Sequence, residues 1–270
     1  MTNRFCKKLA ALTCSGLLIL PLAAPAFAAP ASAVSCRLEE PLTKSRLSGG
    51  YSLELGPTQN VWVDEADNAT VYSAWTIGVF TDRNGTHPQL KRAVEAFLDE
   101  QRNQALDDFA RLKTVSLDNK AAVGAGRGRR ESYGVSAETD IAFADDTYLA
   151  LRTFHYISSG GAHPNYAYQS QVFHVKDGTP VKLTELCPDL PALMPEILSI
   201  AKEKHPEQTK ALLSPDSFFA AVIESEGDKL CWFPCAGGIQ VYFNPYEITP
   251  FAAGTIKVTI TRAAHPELFK

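Results

Sequence analysis

Between residues 132 and 175 the chain alternates polar and apolar side chains in three successive runs, and this pattern decides most of what it can fold into. Residues 132–144 and 147–157 each follow a period of two, as half-buried strands do, and Asp145-Asp146 between them signals a hairpin. The third run, Tyr166 to Val175, ends at the turn former Asp177-Gly178. Three consecutive strands joined by short turns make an antiparallel meander. The stretch Ser158-Ser159-Gly160-Gly161-Ala162-His163-Pro164-Asn165-Tyr166 then stands at one rim of it.

The clearest helix precedes the meander. Thr86 can cap it, Pro88 lies in its first turn, and Leu90, Val94, Phe97, Leu98, Ala105, Phe109 and Leu112 recur at helical spacing over residues 87–113. Lys91, Arg92, Asp99, Glu100, Arg102 and Asp107 fill the opposite face. Upstream, residues 51–55 read as a strand ending at Gly56-Pro57, and Val71 to Phe80 as a second one closed by Asn84-Gly85. Downstream, residues 189–204 and 215–226 read as helices, and residues 230–233, 239–243 and 255–260 as strands. Runs of strands with separated helices predict an α+β fold: a mainly antiparallel sheet, one long amphipathic helix on a face of it, and shorter helices packed around. The basic, glycine-rich stretch from Val123 to Arg130 matches neither phosphate-binding glycine motif and reads as a connector.

Residues 1–28 read as an export signal, with Arg4, Lys7 and Lys8 before an apolar core and a small-x-small site at Ala26-Phe27-Ala28. The core, Leu9 to Leu20, is about 12 residues long, short of the roughly 20 that span a bilayer. Cleavage after Ala28 would leave a periplasmic or secreted chain, with a loose lead-in over residues 29–46 and a single domain over residues 47–270. Acylation at Cys36 is the weaker alternative, because Ala33-Val34-Ser35 lacks the usual leucine and lies far from the apolar core. The chain holds 26 basic and 30 acidic residues. Three of the basic ones leave with the signal, so the mature protein carries 23 against 30, a net charge of −7. That balance argues against nucleic acid, whose binders present a basic face, and favours a cationic partner.

Four cysteines remain after cleavage: Cys36, Cys187, Cys231 and Cys235. In an oxidising compartment they suggest two disulfides, with three connectivities open. Cys231–Cys235 with Cys36–Cys187 is favoured, provided that Pro234 bends the chain. Along a straight strand the first pair would be roughly 13 Å apart, beyond disulfide reach.

Nothing in the sequence announces catalysis or a cofactor. There is no nucleophile elbow, and Ser158 and Ser159 beside His163 do not make a triad by adjacency. His155, His163 and His174 fit no metal-ligand spacing. In the rim loop, Gly160 and Gly161 supply positive φ and Pro164 stiffens the turn. His163, Asn165 and Tyr166 are then displayed on a constrained loop, as recognition surfaces are built. A second stretch, Phe243 to Gly254, is held extended by Pro245 and Pro250 and displays Tyr246, Glu247 and Phe251. Tyr246 or Phe251 plugging the sheet edge is its structural alternative.

These two stretches carry a resemblance. Gly160-Gly161-Ala162-His163 after a strand, and Tyr246-Glu247-Ile248 running through Pro250-Phe251 to Gly254, resemble the domain shared by RsiV-type anti-sigma factors and PdaC-type peptidoglycan deacetylases. The resemblance spans residues 50–262. It implies the α+β fold, a cell-envelope setting, and a ligand that is c-type lysozyme, as in the RsiV type, or a peptidoglycan fragment. The sigma-binding segment of the one and the metal-binding deacetylase domain of the other have no counterpart here. The resulting expectation is a non-catalytic binding domain. Its rival is an envelope hydrolase using His163 with Glu247 or Asp145.

Overall fold

The apolar stripe of residues 87–113 folds as the first three-quarters of a longer helix, α1, Pro88–Val123. The His87 N–H, just ahead of its first turn, donates to the Asp82 carboxylate at 2.8 Å. Leu90, Val94, Leu98, Ala105 and Leu112 are buried along its length. The structure is a computed structural model describing residues 51–54, 57–64, 69–76, 79–82, 85–123 and 132–270, all within the unit Glu40–Lys270. The expected signal and lead-in, Cys36 and the glycine-rich stretch after Val123 lie outside the described residues. Among the described residues no helix is long and apolar enough to cross a membrane.

The stripe packs on a five-stranded sheet. Its strands are β2 (Pro57–Asp64), β3 (Ala69–Thr76), β5 (Ser132–Ala144), β6 (Tyr148–Ser159) and β7 (Asn165–His174), in the order β2-β3-β5-β6-β7. β1 (Tyr51–Glu54) and β4 (Val79–Asp82) pair separately. The meander β5-β6-β7 forms as expected, and neighbours are antiparallel except β3 and β5, which run parallel with α1 crossing between them. The single run expected from Val71 to Phe80 divides into β3 and β4, in different sheets. β2 begins where the first strand was expected to end, because its segment lacks the period-two pattern that marks the meander.

Alternation sorts the meander into two faces. Ala137, Ile141, Leu149, Leu151 and Phe173 meet Leu90, Val94 and Leu98 in one core. His155 points the same way and bonds Gln101 of α1 through Nε2 at 2.8 Å. The opposite face receives a second sheet, order β10-β9-β8, built from β8 (Cys231–Cys235), β9 (Gly238–Phe243) and β10 (Ile256–Thr261). Helices α2 (Leu183–Leu186), α3 (Leu190–Lys204) and α4 (Asp216–Glu224) complete the α+β architecture, with the Asp189 side chain capping α3 by accepting the Ala192 N–H.

Two polar fasteners join the sheets. Ser170 Oγ of β7 donates to the Trp232 carbonyl at 2.7 Å and accepts the Trp232 N–H at 2.9 Å. Arg152 of β6 forks onto both oxygens of Asp140, at 3.1 and 2.5 Å, and reaches the Tyr242 hydroxyl at 2.6 Å. Its guanidinium also lies over the Tyr168, Phe233 and Tyr242 rings. An ion pair this shielded must be complete to be tolerated, and Asp140 with the three rings completes it.

The cysteine pairing needs correction. Pro234 does not bend the chain: it pairs with Ile239 inside a regular ladder that sets Cys231 opposite Tyr242 and Cys235 opposite Gly238. Cys231 and Cys235 therefore sit at opposite ends of an extended strand and do not bridge. Among the described residues Cys187, Cys231 and Cys235 are unbridged, and the expected Cys36–Cys187 pair lies outside the described residues because Cys36 does.

Candidate binding site

The two displayed stretches meet. The hairpin between β6 and β7 turns at Gly160, whose φ of 79° only glycine adopts without strain. Gly161, expected to share that role, keeps an ordinary backbone angle. The turn projects His163, whose Nδ1 bonds the Pro164 carbonyl at 3.0 Å. Because a carbonyl only accepts, Nδ1 carries the proton, and Nε2 of that tautomer accepts from the Tyr246 hydroxyl at 3.1 Å. The imidazole stacks on Phe251, ring centres 3.9 Å apart and planes within 15°. Tyr166 meets Phe251 edge-on at 5.5 Å. Asn165 is exposed at the start of β7.

The second stretch is held by the clamp beneath it. The Asn244 amide acts as a short strand segment against β7: Oδ1 accepts the Tyr168 N–H at 2.7 Å and Nδ2 donates to the Tyr168 carbonyl at 3.0 Å. Glu247 then holds Asn244, accepting its backbone N–H at 2.7 Å and its Nδ2 at 3.1 Å. Burial pushes the Glu247 carboxyl up to about 7, against the pull of the two Asn244 bonds. Between these residues the chain turns tightly, with the Tyr246 N–H donating to the Thr249 carbonyl at 2.8 Å. Tyr246 sits at φ 72°, a left-handed angle that costs a non-glycine residue roughly 1–2 kcal/mol. Its ring is 54% exposed, so the strain is not repaid by burial of that ring. Gly254, at φ 71°, closes the segment with a Cβ position 3.5 Å from the Tyr166 hydroxyl.

His163, Tyr166, Tyr246 and Phe251 thus form one cluster, with Glu247 supporting it from below. Asn244 pairs with the outer edge of β7 at Tyr168, Phe251 packs half-buried on Tyr166 of the same strand, and Tyr246 stays exposed. The hydrolase alternative loses Asp145, which lies in the β5–β6 turn at the opposite end of β6, roughly 40 Å of strand from the β6–β7 turn. Asp145 caps its own turn, accepting the Thr147 and Tyr148 N–H groups. The two oxygens of Glu247 are engaged by Asn244 rather than by His163. His155 bonds Gln101 and His174 bonds Glu185, and among the described residues no three metal-ligating side chains gather. Sequence reasoning missed Asn244 and Tyr168, because a side chain imitating a β-ladder leaves no pattern in sequence.

Residues 188–263 match DUF3298, a family described as a protein of unknown function. That span holds the Tyr246–Phe251 segment and the second sheet but not the His163 loop. A crystal structure of a DUF3298 family member from Bacteroides fragilis is 18% identical, covers 83% of this chain and 95% of its own, and superposes with a TM-score of 0.59. The likeness shows a shared fold. A DUF3298 protein from Pseudomonas aeruginosa aligns at 12% identity over 81% of this chain and 94% of its own, with a TM-score of 0.46. No curated protein matches the chain.

Proposed function

We propose that the chain is an exported, non-catalytic binding domain of the cell envelope, whose ligand is c-type lysozyme or a peptidoglycan fragment. One observation carries this reading. Two segments 83 residues apart converge to hold an exposed tyrosine at a strained backbone angle, bonded to a histidine that stacks on a phenylalanine. Strain kept at an exposed aromatic is a mark of function rather than of stability, and tyrosine is a frequent hot-spot residue at interfaces. The resemblance of both segments to the lysozyme-binding anti-sigma type supplies the ligand class. The acidic balance of the chain favours encounter with a cationic enzyme.

Calorimetric titration of the protein, purified from an exporting bacterial host, with lysozyme and separately with muropeptides tests the proposal. Binding to lysozyme that weakens with salt and disappears in Tyr246→Ala supports it. No heat with either ligand at low salt, from folded protein, overturns it. Muropeptide binding alone would leave the envelope role and remove lysozyme.

A further inference from the structure

Strand register carries the aromatic cluster beyond its two loops. On the sheet face turned away from α1, Tyr166 pairs with Tyr156, and Tyr156 with Ser136. The next row on the same face is Tyr168, Phe154 and Glu138. Phe251, Tyr166 and Tyr156 therefore make one row across the sheet, floored by Phe154, whose ring centre is 5.8 Å from that of Tyr166. Glu138 sits diagonally beyond Tyr156 at the far end. The second sheet covers the neighbouring row at Arg152 and Ser170, whereas Ser136, Glu138, Tyr156 and Tyr166 stay partly open to solvent.

Glu138 is the incomplete part of this surface. It is half-buried and, among the described residues, takes part in no hydrogen bond or ion pair. The closest carboxylate, Asp140, has a guanidinium of its own in Arg152. Burial, with Asp140 adding to it, pushes the Glu138 carboxyl above its ordinary range, which is the response of a carboxylate lacking a counter-charge. A cation arriving there would gain a charge-assisted hydrogen bond and the face of the diagonal neighbour Tyr156. An anionic ligand would meet an uncompensated carboxylate.

We propose that this open face of β5, β6 and β7 is a docking surface for a basic protein, with Glu138 receiving a lysine or arginine side chain laid across Tyr156. The proposal rests on the binding role argued above and deepens it. The occupant is set by charge, an unpaired carboxylate on a net acidic chain, and by continuity with the Tyr246 cluster at the other end of the row.

Two measurements separate this inference from the reading beneath it. The first is titration of wild type, Glu138→Gln and Tyr246→Ala with lysozyme. Glu138→Gln is expected to weaken binding roughly ten- to a hundred-fold, the worth of a charge-assisted bond in a shielded place, and to flatten its salt dependence. Wild-type affinity in Glu138→Gln together with loss in Tyr246→Ala overturns the Glu138 assignment and keeps the binding role. The second is a nuclear magnetic resonance titration with arginine amide. It is expected to move the Ser136, Glu138 and Tyr156 amides in wild type and not in Glu138→Gln. Absence of those shifts in the wild type overturns the proposal. Their presence, where lysozyme gives no heat, supports a cation site and removes lysozyme as its partner.

Discussion

Asn244→Ala tests whether the candidate site is held by the clamp or merely sits above it. Asn244 and Tyr168 are each only 8% exposed, so truncation strands the Tyr168 N–H and C=O where water reaches them poorly. Each buried backbone group left without a partner costs about 1–3 kcal/mol. The pair therefore comes to roughly 2–6 kcal/mol, a large share of the 5–15 typical of a domain. Glu247 also loses its Nδ2 donor, though not the Asn244 backbone N–H, so the turn bearing Tyr246 loosens without being released. Urea unfolding followed by tryptophan fluorescence would measure the loss, and hydrogen exchange at the Tyr168 amide would locate it. Asn244→Asp sharpens the test: it keeps the acceptor for Tyr168 but sets a second carboxylate against Glu247, so its deficit should grow with pH. A loss under about 0.5 kcal/mol in Asn244→Ala, with Tyr168 exchange unchanged, would refute the clamp.

Three further outcomes follow from the same packing. Glu247 holds its proton up to about pH 7 in the folded chain against 4.5 ordinarily, so its contribution is complete below pH 4.5 and lost as pH rises through 7; wild type should lose up to about 3 kcal/mol over that window relative to Glu247→Gln, read from urea unfolding at a series of pH values. Gly238→Ala would bring a Cβ 2.0 Å from the Ile260 carbonyl oxygen and should prevent folding or cost several kcal/mol, whereas Gly237→Ala, at φ 78° with open space around it, should cost about 1 kcal/mol by thermal melting. In reduced protein, timed alkylation read by mass spectrometry should label Cys235 before Cys187 and Cys231, because those two are buried and burial pushes their thiols up to about 12 whereas Cys235 is partly open; equal labelling of Cys231 and Cys235 would contradict the packing of β8.

What sequence made legible follows how far each signal reaches. The meander and α1 were legible because period-two and helical repeats are local, and each ran for ten residues or more. β2 was not, since its neighbours decide it: it is ordered by pairing with β3, a contact that no local pattern encodes. The site divides the same way. The composition of each loop disclosed His163, Tyr166, Tyr246 and Phe251 separately, as constrained turns carrying rings. Their meeting depended on Asn244 copying a strand against Tyr168, an event between segments 76 residues apart. Glu247 shows the limit most sharply. In sequence it reads as a displayed acid beside Tyr246, a ligand contact first and a catalytic carboxylate only in the rival reading. In the fold its oxygens point inward to Asn244, and its high proton affinity belongs to the support of the loop. A raised carboxyl near a histidine is the usual signature of acid–base chemistry. Here the two groups face apart: the carboxylate bonds Asn244 and the imidazole bonds Tyr246, so neither is the other's partner.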